Sequence, residues 1–110
     1  MIEIVNGCDF VMRVRILGSD LSPIPYLELD WTVQYYTYPG VVLEASCKDG
    51  VLSHNCNVQD SFIEIYINKF NWGRVGNVRR KISVSFPDSR FLDGTVNVIT
   101  PESITQIKII

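Results

Sequence analysis

The sequence has 110 residues, 46% of them hydrophobic and 20% charged, with a formal net charge of −2. That length suits one domain over residues 1–110 with a core of its own, and the composition excludes a disordered tail. Acidic and basic residues are mixed along the chain, so no general electrostatic footprint for nucleic acid is present, and no apolar run reaches the ~18 residues that cross a bilayer.

The start, Met1-Ile2-Glu3-Ile4, has no basic region and no long apolar stretch, so no signal peptide is expected and folding is expected in a reducing cytoplasm. From Asp9 to Leu17, alternation governs the pattern: Phe10, Met12, Val14 and Ile16 fall on one face, Arg13 and Arg15 on the other. This is the signature of a half-buried strand. Gly18 to Pro25 carries turn formers and two prolines and reads as a loop. Asp30 to Tyr38 is a second strand, with Trp31, Val33, Tyr35 and Thr37 on one face and Thr32, Gln34, Tyr36 and Tyr38 on the other. Pro39-Gly40 ends it.

Val41 to Cys47 is a third strand, and Asp49-Gly50 predicts a hairpin into Val51 to Val58. Phe62 to Ile67 follows, with three isoleucines on one face. The connection Asn68 to Gly76 holds at most one helical turn, at Asn68 to Trp72. Asn77 to Phe86 alternates again, and Gly94 to Thr100 and Ile104 to Ile110 are two short strands separated by Pro101. No window keeps a helical apolar spacing. Short strands with regular turn punctuation predict an all-β domain, a single antiparallel β-sandwich or partly closed barrel of about seven to nine strands.

Candidate chemistry is sparse. The single histidine, His54, stands two residues from Cys56, so on one strand they would share a face. No acid or oxyanion hole accompanies them to make a nucleophile pair. Cys47, His54 and Cys56 could approach one zinc ion, yet a closed site wants four ligands and no C-x-x-C spacing exists. Cys47 and Cys56 could be bridged across the hairpin, but with an odd count of three, counting Cys8, free thiols are the expected state. The acids at Asp88 and Asp93, and at Asp20, Glu28 and Asp30, suit turns better than a carboxylate pair or a calcium loop. Arg79-Arg80-Lys81 lacks the interleaved aromatics of a single-strand platform and reads as a solvated, edge-protecting face. No catalytic, metal or cofactor residue is assigned.

The aromatics and the last strand suggest contact-making. Tyr36 and Tyr38 point away from the core face, and Phe70, Trp72, Phe91 and Leu92 sit in loops. Ile104 to Ile110 is an apolar strand that must pair within the domain or with a neighbour. The candidate partner interface is Tyr36, Tyr38, Trp72, Ile107 and Ile109. A sugar-binding module stacking Trp72, Tyr36 and Tyr38 on a ligand is the alternative, and a small enzyme or metal protein around His54 and Cys56 the third reading.

A family likeness lies in the order of these pieces: a short strand, then Asn6-Gly7-Cys8-Asp9-Phe10 leading into Val11 to Ile16, then Asp30-Trp31-Thr32-Val33-Gln34-Tyr35-Tyr36. Phe62 to Ile67 then runs into Asn71-Trp72-Gly73, and Phe86-Pro87-Asp88 is followed by Asp93-Gly94. This order resembles the immunoglobulin-like N-terminal domains of phage upper baseplate and fibre proteins, including structural proteins of phages and prophages of gut Bacteroidetes. Cys8 interrupts the usual Gly/Asn-Asp-Phe start. The resemblance implies an immunoglobulin-like sandwich and a virion component assembled in the host cytoplasm. It implies contacts with other virion proteins, a homo-oligomer, often a trimer, and no catalytic residue, cofactor, nucleic acid or membrane partner.

Overall fold

The computed structural model describes all 110 residues and contains ten strands and no helix. In chain order they are β1 (Ile2–Ile4), β2 (Phe10–Val14), β3 (Asp30–Tyr36), β4 (Leu43–Lys48), β5 (Val51–Leu52), β6 (Cys56–Val58), β7 (Ile63–Ile67), β8 (Gly76–Pro87), β9 (Thr95–Ile99) and β10 (Ser103–Ile109). A seven-stranded sheet runs β1-β10-β8-β3-β4-β5, with β9 also on β8, and faces a three-stranded sheet ordered β2-β7-β6. The fold is all-β, its two sheets curled round one core as a partly closed barrel.

Period-two alternation builds that core. Met12 and Val14 of β2 and Ile63, Ile65 and Ile67 of β7 point inward from the small sheet. They meet Trp31, Val33 and Tyr35 of β3, Ala45 of β4, and Val78, Ile82 and Val84 of β8, all buried in one cluster. Burying side chains of this size contributes roughly 1.5–3 kcal/mol each before ordering costs. The irregular stretch before β3 closes one end. Ile24 N–H donates to the Ile16 carbonyl, and Tyr26 hydroxyl accepts from Ile16 N–H (3.2 Å) and donates to the Ser61 carbonyl (3.0 Å). The Trp31 indole N–H donates to the Tyr26 carbonyl at 2.7 Å.

Three expectations from sequence change. Val51 to Val58 is not one strand: β5 pairs with β4 in the large sheet, whereas β6 pairs with β7 in the small one. Ser53 makes the break. Its hydroxyl accepts from Ser46 N–H (3.0 Å) and donates to Asn55 Oδ1 (2.7 Å), local bonds that replace a ladder. Counting that break, the strands number ten. The sheet is also mixed, because β1 runs parallel to β10 with Ile4 opposite Ile109, while every other pairing is antiparallel. Asn68 to Trp72 has no helical turn. The expected hairpin between β4 and β5 is present, with Asp49 and Gly50 both at positive φ (52° and 77°), the backbone of a two-residue type I′ turn.

Candidate interaction surfaces

An arm made by the far half of β8 and by β9 exposes Phe91, Leu92, Val98 and Ile99. The strand β8 is twelve residues long, and one edge of it is ladder-bonded to β3 from Arg79 to Ser85. Its other edge is shared in sequence: β10 pairs with Gly76 to Arg80, and β9 with Ser83 to Pro87. Thr100 marks the changeover, its backbone N–H donating to the Ile82 carbonyl (2.8 Å) and its hydroxyl accepting from Ile82 N–H (3.1 Å). Because β9 pairs with β8 alone, its outer edge is open, and Val98 and Ile99 are exposed beside it.

The loop at the tip of the arm is held by short-range bonds. Asp88 N–H donates to the Gly94 carbonyl (2.8 Å), and Thr95 N–H donates to Asp93 Oδ1 (3.2 Å). Arg90 Nη2 donates to Asp88 Oδ2 at 2.6 Å, and these Arg90 bonds hold the Asp88 carboxyl below the usual carboxylate range. Gly94 takes φ = 77°, a backbone angle that few side chains adopt. The result fixes the backbone while leaving Phe91 and Leu92 facing solvent.

The predicted interface residues separate on inspection. Tyr38 is 73% exposed and lies at the edge of a polar cluster: the Arg79 guanidinium sits 5.7 Å from its ring centroid, and Arg79 Nη1 donates to Glu102 Oε1 at 2.7 Å. Tyr36 is half-buried in the same cluster. Partial burial, and then its hydrogen bond to the Glu102 carboxylate, push its hydroxyl pKa up, while the Arg79 hydrogen bond lowers Glu102.

Trp72 and Ile109 are both 0% exposed, which removes them from any surface of this chain. Trp72 stacks on Phe10 (6.3 Å) and meets Phe70 edge-on (4.8 Å). Its backbone N–H donates to Asn6 Oδ1 (3.0 Å), and its carbonyl accepts from Val41 N–H (3.0 Å). A Cβ at Gly40 would lie 2.6 Å from that carbonyl oxygen and 2.5 Å from the Thr37 carbonyl, so only glycine fits under the indole's backbone. Ile109 is covered by β1 on one side and β8 on the other, and Ile107 is half-buried in the same ladder. The terminal strand therefore pairs within the chain. For a sugar-stacking platform, Tyr38 is the one well-exposed ring of the three proposed.

His54 is exposed in the turn between the sheets, whereas Cys56 is buried on β6 with its thiol 3.4 Å from the Ser53 hydroxyl. The strand break that separates β5 from β6 is what parts them, so the shared face expected from spacing does not form. Cys8, Cys47 and Cys56 are free thiols, and burial pushes the Cys47 thiol up. No three of the His, Cys, Asp and Glu side chains converge in a metal-holding group.

The signal for the arm was present in sequence as Phe91 and Leu92 beside Asp93-Gly94. What sequence did not reveal is that Thr95 to Ile99 alternates like a core strand yet lies outside the core, because β8 outruns the sheet that covers it. Neither family models, nor curated proteins, nor solved structures give a match to this chain.

Proposed function

We propose that this protein is a non-enzymatic structural or assembly component of a phage particle, a head-fibre, capsid-decoration or tail–baseplate adaptor, that works by joining other particle proteins. The observation that carries the contact-making part is the β8–β9 arm, with its open strand edge and the apolar tip Phe91-Leu92. An unpaired edge flanked by exposed Val98 and Ile99 is a template for adding a strand from another chain. Support for the particle itself comes from the resemblance of Asn6 to Phe10, Asp30 to Tyr36 and Phe86 to Gly94 to phage baseplate and fibre domains. A homo-oligomer, taken as a trimer, in the mature virion is the form this reading expects.

The test is incorporation. Particles purified on a density gradient from cells carrying this gene should contain the protein in fixed ratio to the major capsid protein by mass spectrometry. Its absence would remove the particle assignment. Replacing Phe91 and Leu92 together by Ser should lower incorporation at least about tenfold while the thermal melt stays unchanged, given exposure of both side chains. Undiminished incorporation would remove the arm from the contact.

A further inference from the structure

Away from the arm, the two sheets do not close on each other. A cleft of about 460 Å³ opens between β2 of the small sheet and β10 of the large one. Val11, Met12 and Arg13 line one side, Ile104 to Ile107 the other, with Ile2 and Arg80 completing it. Both bordering strands have unpaired backbone there. In the small sheet, β2 pairs only with β7, and β1 covers β10 only from Ile107 to Ile109. Tyr66, opposite Val11, donates its N–H to the Asn55 carbonyl on the far side of β7. The alternation of an antiparallel ladder then directs the main-chain groups of Val11 and Arg13 to the open edge.

The lining is unbalanced in charge as well. It holds two arginines and no acid. Arg13 is matched by Glu64 at 3.4 Å, but Arg80 belongs to no ion pair. It occupies an inward position of β8 between Val78 and Ile82, both buried, and its Nε is enclosed without a hydrogen-bond partner. Opposite it in the β3–β8 ladder lies Tyr35, whose enclosed hydroxyl is close enough to feel the Arg80 charge yet makes no well-formed hydrogen bond. Buried polar atoms in folded proteins are nearly always satisfied, and the Nε of this half-buried arginine is an exception.

We propose that this cleft receives an extended segment of a partner protein, which adds a strand to the open edge of β2 and places a carboxylate on Arg80. Apolar side chains flanking the acid at alternate positions would face Ile104 and Ile107, since successive residues of a strand point to opposite sides. The five residues of β2 offer roughly 17 Å of edge, enough for a segment of about five residues. Main-chain bonds to β2 supply general affinity, and the charge-assisted bond to Arg80 supplies selectivity for an acid. The inference rests on the reading of the chain as a protein–protein module and names the chemistry of one partner.

The probes are two blocked seven-residue peptides, Ser-Val-Ser-Glu-Ser-Val-Ser and Ser-Val-Ser-Gln-Ser-Val-Ser, in which both valines share the face of the central residue. Titrated into the full chain, the glutamate peptide should bind about tenfold more tightly and move the backbone amide resonances of Val11 and Arg13. The Arg80→Met variant, which keeps the apolar stem, should bind both peptides equally. Val11→Pro should weaken both, because it removes an open-edge donor and leaves the β2–β7 bonds in place. Thermal melts check that each variant is folded, and Arg80→Lys, which keeps the charge, should retain part of the preference. Equal affinity for the two peptides in the wild-type chain overturns the proposal, as does a preference that survives Arg80→Met. Self-association through the cleft, seen as a species in sedimentation that Arg80→Met dissolves, overturns the assignment to a foreign segment. If incorporation depends on Phe91 and Leu92 but neither peptide binds, the assembly reading stands and this one falls.

Discussion

The two halves of β8 have opposite fates within one strand. From Gly76 to Val84 it is a central strand, with Val78, Ile82 and Val84 buried beneath β3 and β10. From Ser85 to Pro87 it leaves the covered part of the sheet and, with β9, forms an arm whose residues are mostly exposed. The apolar content of the two stretches is similar. What differs is the layer opposite: the near half lies over the core shared with β2 and β7, while beyond Phe86, which still packs against that core, the arm holds no buried residue. Burial here follows coverage rather than composition, so an exposed Val98 is a feature of place, whereas an exposed Val78 would be a defect.

The sharpest test of this contrast is Trp72→Ala in the covered region. It removes an indole packed on Phe10 and Phe70 and should lower unfolding stability by about 3–5 kcal/mol in urea titration. A loss under 1 kcal/mol would mean that the closed end is no better packed than the arm. A second variant acts in the opposite direction: Tyr35→Phe deletes an enclosed hydroxyl that makes no well-formed hydrogen bond and should leave stability unchanged or raise it by up to about 1 kcal/mol. It should also lessen alkaline sensitivity. Burial raises the Tyr35 pKa even though the nearby Arg80 charge opposes the shift, so the neutral phenol favours the folded state until pH rises past roughly 10, and that preference is lost above it.

On the arm the effects shrink. Leu92→Ser should change stability by less than about 0.5 kcal/mol, which differential scanning calorimetry can check against the Trp72 variant. Smallest is the acid response of the arm's tip. Asp88 is lowered by its Arg90 bonds, so its contribution is present above the ordinary carboxylate range of roughly 4 and fades as pH falls from there through its folded value. Asp88→Asn should flatten that acid limb slightly in pH-dependent melts. A large effect would show that the arm is coupled to the core.

The strands themselves were legible because alternation is a local signal: Phe10 to Val14, Asp30 to Tyr36 and Ile63 to Ile67 carry their inward face in the sequence. The type I′ turn at Asp49-Gly50 is equally local. Trp72 was misplaced at the surface because its burial depends on Asn6 and Phe10, more than sixty residues away, and nothing in Asn71-Trp72-Gly73 reveals them. The change of sheet at Ser53 was hidden by the strand-like character of both flanks. Pairing of β1 with β10 joins opposite ends of the chain, beyond any window that periodicity can sample. Arg80 fell in a basic run that looked solvated, yet it shares the inward parity of Val78 and Ile82.

The long β3–β8 ladder has a mechanical meaning. Seven successive residue pairs, from Asp30 opposite Ser85 to Tyr36 opposite Arg79, hold β8 along its length. Ladder bonds lie across the strands, so tension drawn along β8 from the arm loads these bonds together in shear. Force applied sideways at Leu92 instead peels β9 from β8 one pair at a time, beginning at Thr95 opposite Pro87. The molecule is thus stiff to pulling along its own long strand and compliant to prying at its tip. Such anisotropy lets the long strand bear an axial load while the tip yields to a sideways one.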